Sequence, residues 1–270
     1  MDENNNPLEL KKCSMCMKSV QSLELSHFIP KLVYRRMRKM LAPKHDLNMA
    51  DNNKNTFKIF REIKTELFCQ GCEDKLNKNG ERYFANTCLP VPGGDGVGHF
   101  TKISHAKIIH LLNSTGGYNI TLGSGFLPGI DMNKIYYFAI SIFWRGSFNV
   151  WNNYDSLNID DVTRERMRLF LLNPEENKIP YRVYIAPSFW KLKYGTLLPV
   201  FIPRRKHYLF SILWLDFYLD LNNKTEQLSG LPISLMANQK LCLESFGYLK
   251  KTITEATPRG NVNPKVSWLQ

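Results

Sequence analysis

Apolar positions recur at helical spacing most clearly through Ile135, Phe138, Ala139, Ile142 and Phe143, at i, i+3, i+4, i+7 and i+8. They predict a helix over MNKIYYFAISIFWRGSF, with Asp131 as its cap. A shorter helix is predicted over DDVTRERMRLFLL. Earlier, PKLVYRRMRKMLA has the same rhythm: Pro30 suits a first helical turn, Val33, Met37 and Met40 or Leu41 share one face, and Lys31, Arg35 and Arg38 share another. Beyond Pro180 the rhythm changes. The segments YRVYIA, TLLPVFI, HYLFSILWLDFYLDL and LPISLM are rich in β-branched and aromatic residues between turn signals, which predicts strands. The polar run from Pro43 to Thr56, rich in Asn and Asp, carries neither period and is expected to be a loop. CLPVPGGDGVGHF is turn-rich and marks a domain boundary, but it lacks the Gly-Lys-Ser/Thr ending of a phosphate loop. The expectation is an α+β protein: residues 1–90 form one module, and residues 91–270 form an α+β domain with helices to about 175 and mainly antiparallel strands after 180. No internal repeat is visible.

A chain of 270 residues with 43% hydrophobic positions can bury a real core, which excludes a disordered protein. The net charge of +12 and sequence pI near 9.4 point to an acidic partner, either nucleic acid or an anionic membrane surface. No apolar run reaches the 18 or so residues of a membrane span, and MDENNNPLELKK lacks the apolar stretch of a secretory signal. A soluble, cytoplasmic protein without a membrane partner is expected, acting on nucleic acid with DNA preferred to RNA. A protein partner or self-association is left open. Six basic residues and no acidic ones lie between Lys31 and Lys44. Lys31, Arg35, Arg36 and Arg38 are therefore candidates for phosphate contacts, the alternative being a solvated face whose aliphatic stems cover apolar neighbours.

The chain has six cysteines, too few for a disulfide scaffold of this size, and four of them fall in two C-x2-C pairs: Cys13/Cys16 and Cys69/Cys72. That spacing supplies four thiolates for a tetrahedral structural zinc site in a reducing compartment. Cys88 and Cys242 read as spare core thiols. His99, His105 and His110 do not fall at i, i+4, so they read as surface or core histidines rather than a second metal site. Arg145, beside Trp144, reads as a buried arginine bridging elements in preference to a phosphate ligand.

The order of these features resembles an HNH, or ββα-metal, nuclease module. Cys13-x2-Cys16 is followed by a hydrophobic strand ending in His27-Phe28-Ile29-Pro30, and then by Leu67-Phe68-Cys69-x2-Cys72-Glu73. In that family the strand commonly reads Asp-His-Ile-x-Pro and the second knuckle Leu-Cys-x2-Cys-His. Here Ser26 stands in place of the acidic metal ligand, Glu73 in place of the metal-binding histidine, and Lys64 in place of an asparagine that orients the catalytic histidine. Glu62, Glu66, Asp74, Asn77 and Glu81 are candidates to fill these gaps; on a helix beginning near Cys72, Glu73 and Asn77 share a face, with Glu81 a further turn along if the helix continues past Gly80. The chain is more closely similar to bacterial and phage-associated proteins labelled HNH-endonuclease-like, which carry a Ser-His-Ile-x-Pro-Lys segment, a Cys-x2-Cys-Glu knuckle and a Ser-x-x-Trp-Arg stretch, the last matched by Ser141 to Arg145. The resemblance runs from Cys13 to about Leu172. It implies a zinc-stapled treble clef and a metal-dependent endonuclease that hydrolyses phosphodiesters, with a role in defence against foreign DNA. His27 would be the general base, and Glu73, Asn77 and Glu81 would surround Mg2+ or Mn2+. The other class is a zinc-finger module without catalysis that docks nucleic acid or protein.

Overall fold

The computed structural model describes residues 10–39, 48–51, 55–58, 62–91, 98–115, 119–123, 125, 127–152, 154–187, 195–222, 232–238 and 257–258. Met40, Leu41, Cys242 and most of the turn-rich segment after Val91 lie outside them.

The N-terminal part opens with a small hairpin of β1 (Lys11–Lys12) and β2 (Ser19–Val20). Strand β3 (Glu24–His27) follows, then helix α1 (Lys31–Lys39) directly after Pro30. The segment from Pro43 to Thr56, expected to be a loop, instead contributes β4 (Asn48–Ala50) and reaches into β5 (Asn55–Lys58). These strands are too short and too polar to show a period; they exist because the backbone pairs with a larger sheet, which is a tertiary effect. Strand β6 (Lys64–Phe68) pairs antiparallel with β3, setting Ser26 opposite Thr65 and His27 opposite Lys64. The chain then forms one helical rod: α2 (Gln70–Leu76), a π-helical turn over Asn77–Glu81, and α3 (Arg82–Thr87).

The remainder contains α4 (His99–Thr115), β7 (Asn119–Gly123), α5 (Met132–Gly146) and α6 (Asp161–Leu172). The predicted cap of α5 is present, Asp131 accepting from the Lys134 N–H, and α6 is capped in the same way by Asp160, which accepts from the Thr163 N–H and hydroxyl. Strands β8 (Arg182–Pro187), β9 (Gly195–Ile202), β10 (His207–Ile212), β11 (Leu215–Asp220), β12 (Ile233–Asn238) and β13 (Thr257–Pro258) complete the described elements. The large sheet runs β13-β5-β4-β9-β10-β11-β8-β12-β7. It is a mixed sheet in which antiparallel pairings predominate, as expected, but β4–β9, β8–β12 and β5–β13 pair in parallel. Strands are also not confined to the region after 180: β7, β4 and β5 come earlier in the chain. Register and direction depend on partners far away in sequence, which side-chain alternation within one strand does not report.

Helix α5 is the centre of the molecule. All its residues except Asn133 and Lys134 are buried, as a helix that is apolar on every side requires. On one side Phe138 meets Phe210 and Phe217 of the sheet; on another it stacks on Phe84 of α3 at 3.8 Å. Phe68, the last residue of β6, stacks on Trp144, and Phe28 packs edge-on against Trp151 and Tyr154. Buried apolar side chains from Cys13 to Leu235 thus form one continuous cluster that crosses the expected boundary near residue 90.

Gly80 in the π-helical turn packs directly against the backbone of α5. A Cβ there would lie 2.9 Å from the Phe138 nitrogen and 3.1 Å from the Lys134 carbonyl oxygen. Gly80→Ala is therefore expected to push rod and helix apart and to cost about 1–3 kcal/mol. The check is a urea titration: a lower midpoint at unchanged m value.

Candidate metal centre and histidine site

Cys13 and Cys16 sit in the turn that closes the β1–β2 hairpin. Met17 takes a left-handed backbone (φ 63°) and donates its N–H to the Cys13 carbonyl at 2.9 Å, while the Cys13 N–H reaches the Lys18 carbonyl at 3.0 Å. Cys69 caps α2, and Cys72 lies in its first turn, where its N–H donates to the Cys69 carbonyl at 2.9 Å. The Ser14 N–H bonds to the Leu67 carbonyl at 3.1 Å and holds the two turns together. All four sulfurs lie within 4.8 Å of one another, and Cys16 Sγ is 3.8 Å from Cys69 Sγ. A tetrahedron with Zn–S bonds of about 2.3 Å has S···S edges of about 3.8 Å, so the donor set fits structural zinc. Burial pushes the Cys72 and Cys69 thiols up. Burial opposes ionisation of Cys13 as well, but backbone hydrogen bonds from Cys16, Cys69 and Met15 outweigh it and bring this thiol down to about 7. One sulfur is thus already disposed to be a thiolate, the form a metal binds.

His27 is the last residue of β3, and its side chain is partly exposed. Its Nε2 lies 2.9 Å from Glu62 Oε2, and Glu62 Oε1 lies 3.4 Å from Arg38 Nη2 on α1. An ionised carboxylate only accepts, so Nε2 carries the proton in this pair and Nδ1 is the basic nitrogen when the ring is neutral. Glu62 thus holds the ring, while Lys64 lies across the ladder from His27 in the backbone register. Ser26 points elsewhere. It is buried, and its hydroxyl accepts the Phe68 N–H at 3.2 Å, so it ties the two strands together.

Glu73 lies in the first turn of α2, partly buried, and its Oε1 has no hydrogen-bond partner. The helix does continue past Gly80, through the π-helical turn. An α-helix advances about 100° per residue, so the single extra residue of a π-turn makes Glu73 to Glu81 count as about seven steps, nearly two whole turns. Glu81 accordingly comes close enough for Glu73 to repel its charge. It is buried, however, and ion-paired with Arg145, whose Nη2 is 2.5 Å from Glu81 Oε1. Asn77 opens the π-turn and is partly exposed. His27 and Glu81 therefore have separate carboxylate and guanidinium partners: His27 with Glu62 and Arg38, Glu81 with Arg145.

Burial raises the Glu81 carboxyl; Arg145 pulls it down, Glu73 pushes it up, and the net direction is up. Replacing Arg145 by methionine removes the one lowering influence and leaves a buried carboxylate unpaired. The expected cost is about 3–5 kcal/mol near neutral pH. Because the folded-state pKa of Glu81 then rises further, the deficit relative to the parent should shrink as the pH is lowered through that value. Denaturant unfolding of both proteins at mildly acidic and neutral pH checks magnitude and sign.

No protein-family model, curated protein or solved structure matches the chain. Among the described residues, no helix is long and apolar enough to cross a membrane. On α1, Lys31, Arg35 and Arg38 are exposed and Arg36 is partly so, while Val33, Tyr34 and Met37 are buried, giving the helix one basic and one apolar side. Two features escape a reading of the sequence. The π-turn has only an indirect signal, the run Asn77-Lys78-Asn79-Gly80, which is poor in helix formers. The pairing of Glu62 with His27 has none, because the partners lie 35 positions apart.

Proposed function

We propose that the N-terminal part is a treble-clef, ββα-metal module acting as a metal-dependent, HNH-like endonuclease on nucleic-acid phosphodiesters, with DNA as the preferred substrate. The observation that carries this reading is the His27–Glu62 pair: a histidine at the end of β3, oriented through Nε2 and free to accept a proton at Nδ1. The order of parts supports it: a cysteine hairpin, two antiparallel strands, and a helix whose first turn carries Cys72 and Glu73. Nδ1 of His27 takes the proton of the attacking water, Glu62 stabilises the resulting imidazolium, and Arg38 steadies Glu62. Glu73 fits as a ligand for a divalent ion because its buried oxygen lacks a partner. Mg2+ typically uses one or two carboxylates and completes its shell with water and phosphate. Bound there, Mg2+ or Mn2+ would supply positive charge to the phosphate oxygens. Glu81, held by Arg145, contributes by fixing the rod rather than by ligating.

A second reading, a nucleic-acid or protein docking module without catalysis, is favoured by one specific observation. Ser26 and Glu81, two positions expected near a divalent ion, are both occupied with internal partners. Incubation of DNA with zinc-loaded protein, with and without added Mg2+ or Mn2+, separates the two readings. Cutting that needs the added ion supports the nuclease; tight binding without cutting supports docking.

A further inference from the structure

The α2–α3 rod exposes a second charged stripe that sequence reading assigned to nothing. Lys78, Arg82 and Asn86 are exposed, while Gly80, Glu81, Phe84 and Ala85 face inward. They follow one another at i, i+4 and i+8 and so lie along one side of the rod. Lys75 is turned away from this stripe, with its Nζ on the Leu172 carbonyl. Asp74, bonded by Gln70, precedes Lys78 and marks the acidic end of the row. At the other end Arg36 of α1 donates to the Asn86 side chain at 2.8 Å, joining the stripe to the basic helix. Helix α1 thus stands between two neighbours: Arg38 connects it to Glu62 and His27 on one side, and Arg36 connects it to α3 on the other.

We propose that Lys78 and Arg82, continued through Arg36 onto Lys31 and Arg35, form a single phosphate-binding surface that seats a nucleic-acid backbone beside His27. This inference rests on the nucleic-acid reading above and deepens it. Charge complementarity identifies the occupant: the surface joins two exposed basic rows, and the charge of Arg38 is the one already shared with a carboxylate. Eight helical residues span about 12 Å, and a DNA strand advances about 3.4 Å per phosphate, so the rod faces about three to four phosphates. The side chains involved are long and flexible and contact charge rather than base edges, so the surface adds affinity without sequence preference.

The test is the salt dependence of binding to a fluorescently labelled DNA duplex between about 50 and 200 mM salt. Lys78→Gln/Arg82→Gln is expected to lower the slope of log K against log salt by about 2, at about 0.9 for each lost phosphate contact. Lys31→Gln/Arg35→Gln should do the same. Lys78→Arg should keep the parental slope. Arg164→Gln/Arg166→Gln, which removes the same charge from α6, should leave the slope nearly unchanged. The inference is overturned if the Lys78/Arg82 variant keeps the parental slope, whatever the α1 variant does, or if the α6 control flattens it equally. Absence of any duplex binding by the parent at low salt would instead defeat the nucleic-acid reading itself, and this inference with it.

Discussion

Cys72→Ser is expected to give a protein that holds no zinc and no longer folds its N-terminal part. Cys72 is buried in the first turn of α2 with three other sulfurs within 4.8 Å, and serine offers a hydroxyl that does not ionise near neutral pH. Structural zinc in small modules is worth about 10–16 kcal/mol of apparent binding free energy, which is realised only when the chain folds around it. The two strands of β3–β6 and the four-residue turns of the knuckles cannot replace that contribution from their own contacts. The damage should not stay local. Arg168 of α6 donates to the Met15 carbonyl at 2.5 Å, and Phe68 stacks on Trp144, so melting the knuckles uncovers one side of α5. Native mass spectrometry and a thermal melt check the outcome: one zinc in the parent and none in the variant, with a broadened transition at much lower temperature. A parent that is folded, reduced and zinc-free would mean that the four cysteines are buried thiols and nothing more.

His27→Ala is expected to lower metal-dependent cleavage by about 10²–10⁴-fold, the range for loss of a positioned general base. The alanine removes Nδ1, the nitrogen left free by Glu62, and should leave the sulfur cluster in place, since its four donors are all cysteines and His27 is not one of them. The Glu62 carboxylate keeps Arg38 as a partner, so the variant should fold and retain zinc. That separates the chemical loss from a structural one.

Much of the architecture was legible because it is carried by local signals. The cysteine spacing announces the four-sulfur cluster, Asp131 caps its helix as predicted, and β8 to β12 follow from aromatic and β-branched runs between turns. The rest depends on partners distant in the chain. Asn48 to Ala50 form a strand because β5 and β9 lie alongside, and the sheet is mixed because β4–β9, β8–β12 and β5–β13 pair in parallel. Glu81 illustrates the limit at the candidate site: its place one turn beyond Asn77 is readable, but its capture by Arg145, 64 positions away, is not. Glu62 shows the converse, a residue among several candidate carboxylates that only the β3–β6 pairing singles out as the partner of His27.

The proposed reaction is hydrolysis of phosphodiesters by the N-terminal module through His27. Its most direct test is cleavage of supercoiled plasmid by the parent and by folded, zinc-loaded His27→Ala, each with Mg2+ or Mn2+ and in buffer depleted of both. Chelators strong enough to strip the cysteine site are avoided. The expected result is nicking by the parent that requires the added ion and falls at least about 100-fold in the variant. Equal cutting by both proteins, or none by either while duplex DNA remains bound, would contradict it.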